Sequence, residues 1–256
     1  MTAHPSTTTT VPRRGDGDPS TARPFAATGA LLLGAALLSV VGYVVLGSHF
    51  GWPDVLDEPG TGALDAYIAA EPAIRAGFYL MTLASLSLLV AAFGLHAVVG
   101  RDGAWARAVT AVGALGAFAQ MLGWLRWVTA VPVQAELWTQ AGADPVARHA
   151  VATAYDTLNA YAGATLGEHL GWLLQGIWAV GVGVLLLRTR QVPSWFGAIG
   201  LGLATGWAVL VPIGTAADVA WAETLGVAVL YTAWFVWVGA LGLLFLGRGR
   251  RRVGTA

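Results

Sequence analysis

Six apolar segments dominate the chain, and each has about the 20 residues that a helix needs to cross ~30 Å of hydrocarbon. Of the 256 residues, 56% are hydrophobic and 11% are charged, whereas soluble domains carry about 25% charged residues. This pattern predicts an all-α integral membrane bundle of six transmembrane helices. The predicted spans are approximately Phe25–Leu46, Gly77–Val99, Ala108–Val133, Tyr161–Leu187, Trp195–Thr215 and Thr224–Leu246.

Arginine placement predicts the orientation of these spans. The 14 basic residues are all arginine, and with six spans 11 of them fall on one side of the membrane. We call this the arginine-rich side, and the opposite one the arginine-poor side. Because cytoplasmic loops are enriched in Lys and Arg, both termini are expected in the cytoplasm of a bacterial cell with the protein in its inner membrane. The first segment is too long for a signal-peptide core, so it is expected to be retained.

The regions outside the spans differ in character. Residues 1–23 are predicted to be a disordered cytoplasmic tail, residues 24–247 the six-helix domain, and residues 248–256 a basic cytoplasmic tail. Two long connections lie on the arginine-poor side. In the first, Gly62–Glu71 is expected to form a short surface helix, and in the second, Asp144 is expected to cap a helix that begins at Pro145.

Two charged residues, Arg126 and Glu168, lie well inside apolar segments. Each costs about 2.5–3.5 kcal/mol near the bilayer centre on insertion scales, so such residues usually face the bundle and find partners. Both lie seven residues from the arginine-poor ends of neighbouring antiparallel spans, roughly 10 Å below the surface. The sequence therefore predicts an Arg126–Glu168 ion pair.

Helical spacing places small residues beside these charges. Gly116, Ala119, Gly123, Arg126 and Ala130 share one face of the third span, and Gly163, Gly167 and Gly171 form a ridge on the fourth. About 100° from that ridge a stripe carries Tyr161, Thr165, Glu168, Trp172 and Gln175. These patterns predict an outward-facing polar pocket between the third and fourth helices. Its candidate ligand-binding residues are Arg126, Glu168, His169, Tyr161, Trp172, Gln175 and Tyr79.

The histidines do not form a metal or haem site in this pattern. His96 and His169 differ in depth by roughly 18 Å, and adjacent Glu168 and His169 project about 100° apart. Cysteine is absent, which excludes disulfides, iron–sulfur clusters and cysteine nucleophiles. Nucleophile-elbow, zinc-protease and phosphate-loop motifs are absent as well. The sequence predicts no cofactor, no metal and no assignable catalytic residue.

Three functional hypotheses remain open at this point. The pocket could bind a small molecule or ion, as in a transporter; the chain could be an accessory or scaffold protein with a structural Arg126–Glu168 pair; or Glu168 and His169 could act as acid and base of an intramembrane enzyme. The non-enzymatic hypotheses are favoured. The expected partners are the lipid bilayer and either a small-molecule ligand or another membrane protein. A formal net charge of zero gives no indication of nucleic-acid binding, and the oligomeric state is not determined.

The sequence contains the short motifs Gly51–Leu56, Trp124–Trp127, Tyr161–Gly163, Leu166–Gly171 and Pro193–Trp195. Together these motifs resemble an uncharacterised group of bacterial multi-pass membrane proteins, common in actinobacteria and classed as a domain of unknown function. The resemblance covers about Phe25 to Leu246. It implies a membrane location and a helical bundle, but no reaction, substrate or catalytic residue. Asp57 departs from the family pattern, which often has a basic residue there.

Overall fold

The fold of the chain was obtained as a computed structural model, which describes residues 19–100, 103–217, 219, 221–222 and 225–254. The described part is helical, with two segments of π-helix. We number the elements in chain order. They are α1 (Pro19–Phe50), α2 (Gly60–Ala69), α3 (Glu71–Val99), α4 (Ala104–Ala141), α5 (Pro145–Leu158), π1 (Asn159–Leu170), α6 (Gly171–Arg188), α7 (Ser194–Ala217), π2 (Leu225–Tyr231) and α8 (Thr232–Gly254).

Six helices are long and apolar enough to cross a membrane, which confirms the predicted all-α architecture. They cover Arg23–Phe50, Glu71–Val99, Ala104–Ala141, Pro145–Arg188, Ser194–Ile213 and Val229–Arg251. At the N-terminus, α1 already begins at Pro19, whereas residues 1–18 of the predicted tail lie outside the described residues. At the C-terminus, α8 continues through the arginines to Gly254. The protein is therefore a multi-pass membrane protein.

The six spans pack as a closed ring in chain order. Each of α3, α4, α6 and α7 contacts its neighbours along the chain, and α8 returns to contact α1. Glycines allow the closing contact: a Cβ atom on Gly29 would lie 2.7 Å from the carbonyl oxygen of Gly242, and one on Gly242 would lie 2.8 Å from the amide nitrogen of Leu33. The ring is thus closed on its arginine-rich half by direct backbone packing of α1 against α8.

Two helices extend beyond the membrane on the arginine-poor side. α4 has 38 residues and the continuous helix from Pro145 to Arg188 has 44, so they measure roughly 55–65 Å against ~30 Å of hydrocarbon. The turn between them confirms the predicted cap: Oδ1 of Asp144 accepts hydrogen bonds from the amides of Val146 (2.9 Å) and Ala147 (3.3 Å). The predicted surface helix is also present, as α2.

An aromatic cluster fills the space under this extension, and we call it the cap cluster. At its centre the rings of Phe78 and Trp127 stack with centroids 4.7 Å apart, and Phe50 packs edge-on against Trp127 at 5.0 Å. The Tyr67 hydroxyl of α2 donates to the carbonyl oxygen of Trp127 at 3.1 Å. The cap cluster contains Phe50, Trp52, Tyr67, Phe78, Trp124, Trp127, Trp138 and Tyr155. It joins α2, α5 and the ends of α1, α3 and α4 into one packed unit.

Candidate functional site

Arg126 lies beneath the cap cluster with its side chain surrounded by protein. Its exposed fraction is 5%. Nη1 donates to the carbonyl oxygen of Gly123 at 2.6 Å, and Nη2 donates to Oδ1 of Asn159 at 2.8 Å. The guanidinium carbon lies 5.1 Å from the centre of the Trp127 ring, within cation–π distance. The prediction that Arg126 faces the protein interior is therefore confirmed.

Glycines create the space that Arg126 and its neighbours occupy. A Cβ atom on Gly163 would collide with Nη2 of Arg126, and one on Gly123 would lie 2.7 Å from the Cα atom of Gly167. One turn further, a Cβ on Gly171 would lie 2.7 Å from Cγ of Gln120. The small residues predicted to form the packing surface between the third and fourth spans are confirmed in that role. This close approach brings π1 against the face of α4 that carries Arg126.

Glu168 follows Gly167 in π1 and is partly exposed. It interacts electrostatically with Arg126 on one side and with the hydroxyl of Tyr43 on α1 on the other. The carboxylate is thus close to both the buried guanidinium and a residue of the first span. The predicted Arg126–Glu168 ion pair stays a prediction, since the described hydrogen bonds of Arg126 go to Gly123 and Asn159.

A buried amide pair lies deeper in the bundle. Nε2 of Gln120 on α4 donates to Oε1 of Gln175 on α6 at 2.6 Å, and the hydroxyl of Tyr231 approaches the same oxygen at 3.5 Å. Both glutamines are 2% exposed. Nε2 of Gln175 has no hydrogen-bond partner among the described residues. An unpaired donor is costly in such surroundings.

The structure separates the predicted stripe of the fourth span into different environments. Tyr161 is 64% exposed, whereas Gln175 is almost fully buried. The reason is the π-helix, which bonds residue i to i+5 and shifts the side-chain phase relative to an α-helix; the hydroxyl of Thr165 correspondingly donates to the carbonyl of Ala160 five residues earlier, at 2.9 Å. His169 and Trp172 are half-buried, and Tyr79 on α3 is 51% exposed.

Among the described residues, a crevice separates α1 from π2 on the arginine-poor half of the ring. Closer to the arginine-rich side, Ala36 of α1 packs against Gly239 of α8: a Cβ atom on Gly239 would lie 3.2 Å from the Ala36 methyl group. Val40, one turn further along the same face, is already 56% exposed, so the two helices have separated at that level. Tyr43 follows and is 38% exposed. We call this space the Tyr43 crevice.

The wall opposite Tyr43 is polar and aromatic. On α1, Gly42 faces α3 and Ala36 faces α8, so helical spacing directs Tyr43 between them, toward the interior of the ring. Tyr43 interacts electrostatically with both Glu168 and Tyr231. The ring of Tyr231 lies 6.2 Å from that of Trp172. The Tyr43 crevice is therefore bounded by Tyr43, Glu168, Trp172 and Tyr231, from three parts of the chain.

Sequence reasoning did not identify four of the residues that define this region. Gln120 is a polar residue inside the apolar third span, and Asn159 lies four residues before Gly163 of the glycine ridge; these positions are signals that could have found them. Tyr43 and Tyr231 carry no such signal, because tyrosine is common near span ends. The fold alone places their side chains opposite Glu168.

No group of three or more His, Cys, Asp or Glu residues suited to a metal ion occurs within the described part of the chain. His96, which the sequence places near the arginine-rich end of α3, lies 3.2 Å from the hydroxyl of Thr110 through Nδ1. Both residues line a small cavity, mostly apolar, with Trp178. This location is at the opposite end of the bundle from the Tyr43 crevice.

Comparison with known proteins agrees with this architecture. The family described as a domain of unknown function (DUF4386) matches residues 27–247, which are nearly the whole membrane domain. Neither a curated protein nor a solved structure matches the chain. The match covers the same region as the resemblance based on the Gly-Glu-His-Leu-Gly segment and its arginine-bearing partner helix. The chain therefore belongs to the DUF4386 family of proteins of unknown function.

Proposed function

We propose that this protein binds a small polar ligand in the Tyr43 crevice, which opens on the extracytoplasmic side of a bacterial inner membrane. The observation that carries the proposal is the position of Glu168: a partly exposed carboxylate at membrane depth, opposite Tyr43 and next to Trp172. A carboxylate facing lipid would be strongly unfavourable. It is therefore expected to face a hydrated space, and intramembrane ionisable residues are commonly functional.

Two further features support a binding role. Both π segments, which are rare in helices and frequent at functional sites, border the crevice: π1 contributes Glu168 and π2 ends at Tyr231. The side-chain amide of Gln175, whose Nε2 has no hydrogen-bond partner among the described residues, lies beside Tyr231. In this proposal Arg126 and Asn159 hold π1 in place, while Glu168, Tyr43 and Trp172 contact the ligand.

The test uses the absence of cysteine from the chain. Tyr43→Cys is reacted with a membrane-impermeant thiol reagent in intact cells or sealed vesicles. The matched control is Val41→Cys, since Val41 is 50% exposed but helical spacing directs it to the outside of the ring, toward lipid. We expect rapid modification at position 43 and at least about tenfold slower modification at position 41, because the reactive thiolate forms in water. Equal protection of both positions would show that the crevice is closed and would overturn the proposal.

One observation favours a second candidate function, that of an accessory protein in which the charges are purely structural. Arg126 is buried, hydrogen-bonded within the protein and covered by the cap cluster. In that case the cap on the arginine-poor side would contact a partner membrane protein. The same cysteine experiment separates the two functions, since the accessory function does not require water at position 43.

A further inference from the structure

We infer that the ligand of the Tyr43 crevice is an organic ammonium ion, so this inference rests on the proposed function and gives it a substrate class. The charge that a ligand can reach decides this. Arg126 is 5% exposed, whereas Glu168 is partly exposed and interacts electrostatically with Tyr43 of the crevice. An entering molecule therefore meets the carboxylate and not the guanidinium.

The remaining wall of the crevice is aromatic. Trp172 lies four positions after Glu168 at the junction of π1 and α6. The centre of its ring lies 6.2 Å from that of Tyr231. Tyr43 faces them from α1 with 38% of its surface accessible. A carboxylate among aromatic rings is the environment that recognises ammonium groups, because the faces of the rings are electronegative.

An alkali metal ion fits the same wall poorly. Metal ions bound by oxygen require several oxygen ligands in close geometry, while the described residues that line the crevice offer one carboxylate, two phenols and an indole. A weakly hydrated organic cation makes contact with the rings over their whole surface. An anionic ligand would meet the Glu168 carboxylate at short range, which is unfavourable. The ammonium group could belong to a soluble amine or to a lipid headgroup that enters between α1 and π2.

Choline is the probe that tests this inference, with its neutral carbon isostere 3,3-dimethylbutan-1-ol as the matched ligand control. Binding to the full chain in phosphatidylglycerol nanodiscs is measured by calorimetry at constant ionic strength. We expect choline to bind at least about tenfold more tightly than the isostere, since only the cation is attracted by the carboxylate and by the faces of the rings. The inference would be overturned if the two ligands bind equally well. It would also be overturned if sodium chloride competes for the choline site as strongly as choline chloride does.

Variants assign the binding to the crevice. Glu168→Gln and Tyr43→Leu are expected to weaken choline binding about tenfold or more, while Tyr43→Phe, which retains the ring, changes it less than about threefold. Tyr161→Leu is the matched control, because Tyr161 is 64% exposed and lies outside the crevice. Unchanged binding in both Glu168→Gln and Tyr43→Leu would overturn the inference. Tyr43→Leu serves as the second variant if Glu168→Gln does not fold.

The outcomes separate this inference from the proposed function. If Tyr43→Cys is accessible to the thiol reagent but choline does not bind, only the ligand class is wrong. If Tyr43→Cys is protected, the proposed function fails as well. Exchange of the disc lipid for phosphatidylcholine then distinguishes the two sources: reduced affinity for free choline indicates that a lipid headgroup occupies the crevice, and unchanged affinity indicates a soluble amine.

Discussion

Nη2 of Arg126 donates a 2.8 Å hydrogen bond to Oδ1 of Asn159, and this bond joins the middle of α4 to the first residue of π1. It occurs where the helix changes from α to π geometry. With the bond to the Gly123 carbonyl, it satisfies two of the donors of a buried guanidinium. The position of Arg126 is thereby fixed under the cap cluster, and π1 is fixed against α4.

If Glu168 neutralises Arg126, the two charges depend on each other. We expect Glu168→Met to destabilise the protein by about 3–5 kcal/mol, because the buried guanidinium of Arg126 loses its counter-charge. Arg126→Met should destabilise it less, because the remaining Glu168 carboxylate is partly exposed. The double variant should fold nearly as well as the wild type. Thermal unfolding in detergent compares the four proteins, and equal damage in all three variants would show that the pair does not exist.

A side chain on Gly163 is expected to displace the guanidinium of Arg126 from its hydrogen bonds. A Cβ atom there would collide with the Arg126 guanidinium, and overpacking in a filled interior costs about 1–3 kcal/mol. Gly163→Ala should therefore lower the midpoint of thermal unfolding. Gly202→Ala on α7 is the control, because no atom lies within 4 Å of the added methyl group, and it should unfold like the wild type or slightly higher. A destabilised Gly202→Ala with an unaffected Gly163→Ala would contradict this packing.

Alkaline pH should weaken the cap through Tyr67. Burial, with a smaller contribution from the Glu71 carboxylate, raises the pKa of Tyr67 above the ordinary value of 10.0. The unfolded chain therefore loses this proton first, and stability falls as pH rises above 10, by about 1 kcal/mol between pH 10 and 11. Denaturant unfolding in detergent should show this loss reduced in Tyr67→Phe and retained in Tyr161→Phe. The same loss in both variants would mean that another group is responsible.

Cysteine labelling also tests the predicted orientation. Ala143 lies in the turn between α4 and α5, and Ser194 begins α7 at the opposite end of the bundle; both are exposed. In intact cells an impermeant reagent should modify Ala143→Cys and spare Ser194→Cys, because arginine-rich loops face the cytoplasm. Permeabilised cells provide the control in which both react. The reverse pattern would place the termini outside.

The apolar segments by themselves determined the six-helix membrane architecture, because the cost of exposing backbone polar groups to hydrocarbon leaves few alternatives for such segments. The glycine spacing also determined the close contact of the third and fourth spans, and Asp144 before Pro145 determined where α5 begins. These features are local: each depends on helix length, helix period or a single cap, and all can be read without knowing the rest of the chain.

Tertiary structure decided which polar groups meet. The π geometry of residues 159–170 changes the phase of the fourth span, so a stripe drawn with α-helical spacing does not stay on one face. Asn159, and not a residue predicted beforehand, became a hydrogen-bond partner of Arg126. Tyr43 faces Glu168 because the ring of helices closes between the first and last spans and then opens above Ala36. Such contacts between distant segments depend on the packing of the whole bundle, which no local pattern specifies.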